Sequence, residues 1–330
     1  PFPQWEGAVL AYGVRGCSPG RMMGHRILRV LVGTTCLVTG LAGQAHAAEP
    51  LDPIAVAALA AIPGLGHLQL GRTGEGLGIL GAWLTAHTLG EQRVPPVFYP
   101  GLPEHAISLF TLSESALYRM QIFDAYQEAR IQVNDRGFPS PPRAMSPLAC
   151  LQAPFMPEQL LDGGVWALPG LLLLSQTTRF SEHSGKLALE AKSVLAGKTR
   201  LSAPEAYAAQ VLAGLVIAMH AGVSEEALYR GVLQTELERR IGFWPALTLA
   251  STAFGASHVG GINVNLTAWG QFIAPALLGA AFGYLYHVSG NDLAKPIAAH
   301  VYWDAIVIAT RGLEAHSSAL DNPLGFTYRF

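Results

Sequence analysis

The sequence predicts an all-α protein, a polytopic transmembrane bundle of about eight membrane-associated helices. Half of the 330 residues are hydrophobic and only 13% are charged, whereas soluble domains average about 25% charged residues. Apolar runs of helical length recur along the chain, and segments rich in proline or charge separate them. The net charge of −2 gives no indication of nucleic-acid binding. The three scattered cysteines match neither a disulfide framework nor a zinc cluster.

Residues 1–47 are predicted to be upstream sequence followed by a secretory signal peptide. Arg26 and Arg29 provide a positive segment, residues 27–42 are apolar, and residues 45–47 form an Ala-His-Ala cleavage pattern. An uncleaved anchor helix is the alternative interpretation. Both interpretations direct the chain into a membrane, which we predict to be the bacterial inner (cell) membrane.

Residues 48–158 are predicted to form an N-terminal membrane-associated helical region that ends in a proline-rich loop. Two apolar runs, 54–70 and 76–90, are each shorter than the roughly 20 residues of a full membrane span. A re-entrant hairpin and a pair of tilted helices both fit these runs. Helical periodicity predicts a further helix over 104–132, and the prolines of 134–157 predict the loop.

Residues 159–311 are predicted to form the main transmembrane bundle. An apolar span at 159–175 is followed by a polar connection at 176–200. The tail, 312–330, shows no clear element. Between the connection and the tail the apolar pattern predicts four helices in close succession, at 204–240, 243–259, 266–288 and 293–311.

Polar side chains recur near i,i+4 spacing within three of these four apolar helices. The three sets are Glu225, Glu226 and Arg230; Phe254 and His258; and His300 and Asp304. An ionisable group inside a membrane costs roughly 2.5–3.5 kcal/mol on insertion scales, so such groups normally face a polar cavity and pair with one another. We therefore expect the three sets to converge. Two imidazoles and several carboxylates in one low-dielectric cavity form a hydrolytic constellation.

Glu226 and Arg230 are predicted to form an ion pair. They are four positions apart, so they share one face of a helix. That pairing leaves Glu225, one position round the helix, free to act on another group.

The three motifs together resemble the CAAX protease and bacteriocin-processing family, also described as type II CAAX prenyl endopeptidase-like. The motifs are Glu-Glu-x-x-x-Arg from Glu225, Phe-x-x-x-His from Phe254, and His-x-x-x-Asp from His300. The glycine-rich stretch 278–286 is similar to the packing helix of that family. The resemblance covers roughly residues 204–311.

The resemblance implies an intramembrane endopeptidase that hydrolyses peptide bonds with a glutamate-activated water. It implies that Glu225 is the general base and that Glu226 supports it while pairing with Arg230. His258 would position the water or stabilise the oxyanion, and His300 would lie close to the same water. The implied partners are a peptide or membrane-protein substrate and the lipid bilayer, with no nucleic acid.

Asp304 departs from the pattern of the eukaryotic members, which have asparagine at this place. Asparagine can donate a hydrogen bond to an oxyanion, whereas an ionised aspartate only accepts. Asp304 must therefore be protonated, orient His300 or ligate a metal. No cofactor is certain from the sequence. If a divalent metal such as zinc takes part, the candidate ligands are Glu225, His258, His300 and Asp304.

Two other classes of protein fit the same sequence. A non-catalytic membrane scaffold or bacteriocin-immunity protein on the same fold is the first, and the aspartate at position 304 favours it. A transporter or ion pathway is the second, because intramembrane carboxylates also serve as relays. The absence of an inverted repeat in the sequence counts against the transporter.

Overall fold

The structure is a computed structural model that describes most of one compact unit, residues 49–330. The predicted signal peptide lies outside the described residues, as do most of the predicted tail and parts of both loops. The described ranges are 52–91, 109–133, 145–181, 193–196, 199–259, 268–312 and 326–329.

Helices dominate the described part of the chain, as the composition predicts. The N-terminal helices are α1 (Pro53–Leu59), α2 (Leu65–Gln69), α3 (Thr73–Glu91), α4 (Leu109–Gln132) and α5 (Pro147–Gln152), followed by a 3₁₀ turn (Ala153–Phe155) and α6 (Pro157–Leu160). The C-terminal helices are α7 (Gly163–Ser181), α8 (Ala203–Glu226), a π-helix (Ala227–Gln234), α9 (Thr235–Ile241), α10 (Phe243–Ala256), α11 (Ala268–Val288) and α12 (Ala294–Gly312). The four helices predicted between 204 and 311 agree with these bounds.

The first apolar run forms two short helices rather than one. Gly64 adopts a left-handed backbone conformation (φ +82°), which turns the chain between α1 and the start of α2. A Cβ at Gly64 would overlap the backbone of Gly76, so the turn also lies directly against α3. The first predicted run is therefore divided into two short helices, and Gly71, also at positive φ (+77°), follows the second of them before α3 begins.

α8 and α12 form the closest helix pair of the C-terminal bundle. Gly214 and Gly222 of α8 face Ile308 and Val301 of α12, and a Cβ at either glycine would overlap the facing side chain. A capping box at Ser202 fixes the start of α8, because the Ser202 and Glu205 side chains each bind the other's backbone N–H. Close approach of the two helices brings their polar side chains within reach of one another.

The prediction of about eight membrane-associated helices is not confirmed. Within the described residues, one continuous helix, Ala203–Ile241, is long and apolar enough to cross a membrane. Gly163–Ser175 is a shorter apolar helix. The difference arises because several predicted spans are short, broken by turns or interrupted by charged residues.

The all-α class is confirmed, and the structure adds one small antiparallel sheet that was not predicted. β1 (Ser193–Ala196) lies between β2 (Thr199–Leu201) and β3 (Phe326–Arg329). Val194 is opposite Leu201 on one side and Tyr328 on the other. The sheet joins the polar connection to the C-terminal tail, for which the sequence predicted no element. Such strands have no periodic signal of their own, since long-range pairing defines them.

Asp162 fastens the start of α7 to the start of α12. Its carboxylate accepts hydrogen bonds from the backbone N–H groups of Gly164 (2.7 Å) and Val165 (3.1 Å). Lys295 donates to the same side chain at 2.6 Å. The Lys295 hydrogen bond holds the pKa of Asp162 below its ordinary value, and the two backbone hydrogen bonds act in the same direction.

Replacing Asp162 separates its two contributions to stability. Asp162→Asn keeps a capping oxygen but loses the ion pair, so we expect a loss of about 0.2–1 kcal/mol at neutral pH. Asp162→Ala also loses the helix cap, and we expect a loss of about 1 kcal/mol more. Thermal unfolding of the purified protein measures both, with Glu158→Gln on the neighbouring exposed position as control.

The same variants carry a pH dependence of known sign. The folded protein binds the Asp162 proton less tightly than the unfolded chain, so the stabilisation is present above the ordinary aspartate pKa of 3.8. It is lost as the pH falls through the lower pKa of the folded state. A difference between wild type and Asp162→Asn that grows on acidification would contradict this assignment.

Candidate active site

The acidic pair lies where α8 passes into the π-helix. Glu225 and Glu226 are the last residues of α8, and the π-helix extends from Ala227 to Gln234. The Thr235 hydroxyl donates to the Arg230 carbonyl at 2.7 Å and also contacts the Tyr286 hydroxyl at 2.8 Å. π-Helical turns are rare and are frequent at functional sites. The acidic pair therefore lies at a helical irregularity of the kind found at functional sites.

Glu226, Arg230 and His300 form a buried charged network. Arg230 Nη1 donates to Glu226 Oε1 at 2.8 Å, and His300 Nδ1 lies 2.7 Å from the same oxygen. Glu226 and Arg230 are almost fully buried, and His300 is 5% exposed. The ion pair predicted from the i,i+4 spacing is present, and it joins the helix that carries the acidic pair to α12.

Arg230 is enclosed by two further helices. Its Nη2 donates to the Gly279 carbonyl of α11 at 2.7 Å. Its guanidinium carbon lies 4.7 Å from the centre of the Phe254 ring of α10, a cation–π distance. A Cβ at Gly279 would lie 3.2 Å from Arg230 Nη2. Glycine at this place therefore allows the arginine to reach the backbone of α11.

A second contact of the same kind follows one helical turn later. Gln234 is fully buried, and its side-chain amide donates to the Gly283 carbonyl at 3.0 Å. A Cβ at Gly283 would overlap Gln234 Oε1 and lie 2.7 Å from Leu247 Cδ1. The Gly279/Gly283 spacing thus matches the Arg230/Gln234 spacing, and the close helix approach predicted for these glycines is confirmed.

Glu225 faces a different set of partners from its neighbour. Its Oε1 lies 3.2 Å from Arg119 Nη1 of α4, and its Oε2 lies 3.8 Å from His258 Nε2. Oε2 is buried and makes no hydrogen bond within the described part of the chain. The sequence predicted that Glu225 would be free of ion pairs, but Arg119 contacts it. One of its two oxygens is nevertheless uncommitted.

His258 and His300 both contact the Phe254 ring. His258 Nδ1 lies 2.7 Å from the Phe254 carbonyl, which fixes the imidazole, and its Nε2 lies 3.8 Å from Glu225. The Phe254 ring centre lies 4.6 Å from the His258 ring and 5.9 Å from the His300 ring. The role of Phe254 is packing, because its ring contacts both imidazoles and lies against Arg230.

Asp304 extends the buried network towards the surface. His300 Nε2 lies 3.5 Å from Asp304 Oδ2, and the Asp304 side chain is 28% exposed. The His300 ring stacks on Phe282, with ring centres 4.9 Å apart. A carboxylate therefore faces each nitrogen of His300, and only a doubly protonated ring can donate to both. Of the three options for Asp304, this position fits orientation of His300.

The structure brings all six predicted residues into one region but in two groups. Glu225 and His258 form one group, while Glu226, Arg230, His300 and Asp304 form the other. His300 contacts the second group, although the sequence predicted that it would lie near the same water as His258. The two groups are joined through the adjacent positions of Glu225 and Glu226 and through the Phe254 ring.

Sequence reasoning missed two residues of this region. Arg119 contacts both Ser224 and Glu225, and it precedes Ser224 by 105 positions in the chain. The charge of Arg119 on the predicted helix was the available signal, but a charge does not identify its partner. Gln234 lies four positions after Arg230, and nothing in the sequence indicates its bond to Gly283.

The arrangement of donor atoms does not fit a metal at the predicted ligands. Both His300 nitrogens face carboxylates, at 2.7 Å and 3.5 Å, so neither is free to ligate a metal. Among the described residues, no three potential ligand atoms of Glu225, His258, His300 and Asp304 lie within 4.8 Å of one another. The geometry therefore gives no support to a metalloprotease-like site.

A separate group of potential ligand atoms is formed by His67, Glu75 and Asp124. His67 Nε2 lies 2.9 Å from Asp124 Oδ2. Arg72 lies among these acids, 2.6 Å from Glu75 and 3.0 Å from Glu128. A guanidinium already supplies the positive charge there, so the group is an ion-pair network.

The C-terminal helices thus bury two carboxylates, an imidazole and an arginine in an apolar setting. The family model described as type II CAAX prenyl endopeptidase Rce1-like matches residues 207–306. The chain is therefore similar to that family over this range, and the resemblance predicted from the motifs is confirmed there. No curated protein and no solved structure gave a match to the chain.

The two adjacent glutamates are expected to differ sharply in their effects on stability. Glu226→Ala leaves Arg230 buried without its anion, and breaking a buried pair costs about 3–5 kcal/mol. Glu225→Gln retains the shape of a side chain that is already partly accessible, so we expect the folded yield and unfolding temperature to stay close to wild type. Thermal unfolding in detergent compares the two. Equal stability of the two variants would contradict the division of the site into two groups.

Proposed function

We propose that the protein is an intramembrane endopeptidase in which Glu225 activates a water molecule for attack on a peptide bond. The observation that carries the proposal is the uncommitted, buried Oε2 of Glu225 beside His258 Nε2, 3.8 Å away. This separation is too long for a direct hydrogen bond. A water molecule can contact both atoms, which is the geometry required of a general base and its positioning partner.

The reaction balances with these two side chains. Glu225 accepts a proton from the water as the water oxygen bonds to the peptide carbonyl carbon, and the carbonyl oxygen becomes an oxyanion. His258 donates from Nδ1 to the Phe254 carbonyl, so in its doubly protonated form it stabilises that negative charge by donating from Nε2 as well. The carbon–nitrogen bond then breaks, and the proton held on Glu225 passes to the leaving amine. General-base assistance of this kind contributes about 10²–10⁴-fold.

The buried network supports the proposed reaction by fixing the acidic pair. Glu226 is held by Arg230 and His300, so the backbone that carries Glu225 has a defined position. Gly279 and Phe254 hold Arg230 in turn. In this proposal Asp304 orients His300, and neither residue contacts the substrate.

The surface of the bundle supports a location within the membrane. The family that matches residues 207–306 is membrane-embedded, and Ala203–Ile241 is long and apolar enough to span a bilayer. Large apolar side chains are exposed on several helices, and contiguous exposed apolar surface is typical of membrane contact. They include Leu171 and Leu174 on α7, Leu212 on α8, Leu249 on α10 and Leu277 on α11. We propose that the protein cleaves peptides or membrane proteins near the bilayer of a bacterial inner membrane.

Replacing the proposed base and its partner tests the activity. We expect Glu225→Gln and His258→Ala each to lower peptide cleavage by at least about 10²-fold, because each removes a group from the attack step. Comparing the peptides of membranes that carry wild type with those that carry Glu225→Ala identifies a cleaved substrate. An internally quenched fluorescent peptide with that cleavage sequence then measures the rate for each variant.

His220→Gln provides the matched control. The His220 Nδ1 atom lies 2.8 Å from the Val216 carbonyl of its own helix, so this ring is bound to the backbone of α8 rather than to the acidic pair. We expect this variant to cleave like wild type. Folded Glu225→Gln and His258→Ala proteins that retain their biological effect would instead favour the scaffold, for which the aspartate at position 304 is the supporting observation.

A further inference from the structure

We infer that Arg119 is a positioning residue for the active site and that the N-terminal helices are part of the catalytic machinery. This inference rests on the proposed function of Glu225. Arg119 lies on α4, outside the residues 207–306 that match the family. Its contact with Glu225 therefore adds a group to the site that the family match does not include.

The contact is specific for one oxygen of the carboxylate. Arg119 Nη1 lies 3.2 Å from Glu225 Oε1 and 3.3 Å from the Ser224 hydroxyl. The Ser224 hydroxyl donates to the His220 carbonyl at 2.7 Å, so the guanidinium meets a fixed point of α8. Because Arg119 holds Oε1, the other oxygen of the same carboxylate, Oε2, faces His258. A glutamate has three flexible side-chain bonds, and this contact selects one arrangement of them.

α4 is held beside the acidic pair by two further contacts on the same face. Phe123 packs against Gly231 of the π-helix, where a Cβ would overlap the ring. Tyr126 donates from its hydroxyl to Glu236 of α9 at 2.9 Å. Positions 119, 123 and 126 share one face of a helix. The packing of α4 along 224–236 therefore fixes the place from which Arg119 reaches Glu225.

Arg119→Gln tests this role through separate measurement of kcat and KM. A shift of about 1 Å in a catalytic group can lower the rate by about 10²-fold. We therefore expect kcat to fall about 10- to 100-fold while KM changes little. Arg119→Lys retains a positive charge on a shorter side chain that lacks the planar guanidinium, so we expect an intermediate kcat. The fluorescent peptide described above is the substrate for these assays.

Arg72→Gln is the control of matched chemistry. Arg72 pairs at 3.0 Å with Glu128, which lies on α4 as Arg119 does. Arg72 is far along the chain from the acidic pair, and we expect the kcat of Arg72→Gln to equal that of wild type. An equal loss in both variants would assign the effect to the packing of α4 and overturn the inference. If Arg119→Gln does not fold, Arg119→Lys decides, because a wild-type kcat in that variant overturns the inference.

The outcomes also separate this inference from the proposed function. Cleavage by Glu225→Gln at the wild-type rate would overturn both. An inactive Glu225→Gln together with a fully active Arg119→Gln would leave the proposed base in place and remove only the role of Arg119.

Discussion

The buried ion pair between Glu226 and Arg230 is the interaction on which the C-terminal bundle depends. Two charges without water are costly unless other polar groups complete their contacts. Those groups come from three different helices: the Gly279 carbonyl of α11, the Phe254 ring of α10 and the imidazole of His300 on α12. The pair is therefore compensated only when all three helices have packed around it. Assembly of the bundle and completion of the site are the same event.

This dependence explains why two neighbouring residues of the same type have different environments. Successive residues of an α-helix point about 100° apart, so Glu226 faces the interior while Glu225 faces the edge of the bundle. Glu226 uses Oε1 for its contacts with Arg230 and His300, whereas Glu225 contacts Arg119 through Oε1 and places Oε2 3.8 Å from His258. Oε2 of each glutamate makes no hydrogen bond within the described residues, so the two side chains differ in the neighbours of their carboxylates.

The sequence predicted the parts of this arrangement that follow from local spacing. Helix bounds in the C-terminal region, the Glu226–Arg230 pair and the close approach at Gly279 and Gly283 all depend on neighbouring positions of one helix. The contact of Arg119 and the pairing of β1 with β3 join distant parts of the chain, for which one sequence has no periodic signal. The predicted number of membrane helices is not confirmed for a related reason, since an apolar run in the sequence does not reveal where a glycine turns the chain.

The π-helix sets the phase between the two ends of the long helix Ala203–Ile241. Each π-turn contains about one residue more than an α-turn, so the faces before and after it are offset by about 100° relative to an uninterrupted α-helix. This offset lets the upstream end direct its acids towards α10 and α12 while Glu236 downstream meets Tyr126 of α4. Loss of one residue from 227–234 would restore the α-helical phase and rotate one end by roughly a quarter-turn. The length of this segment is thus as strictly determined as the identity of its charged residues.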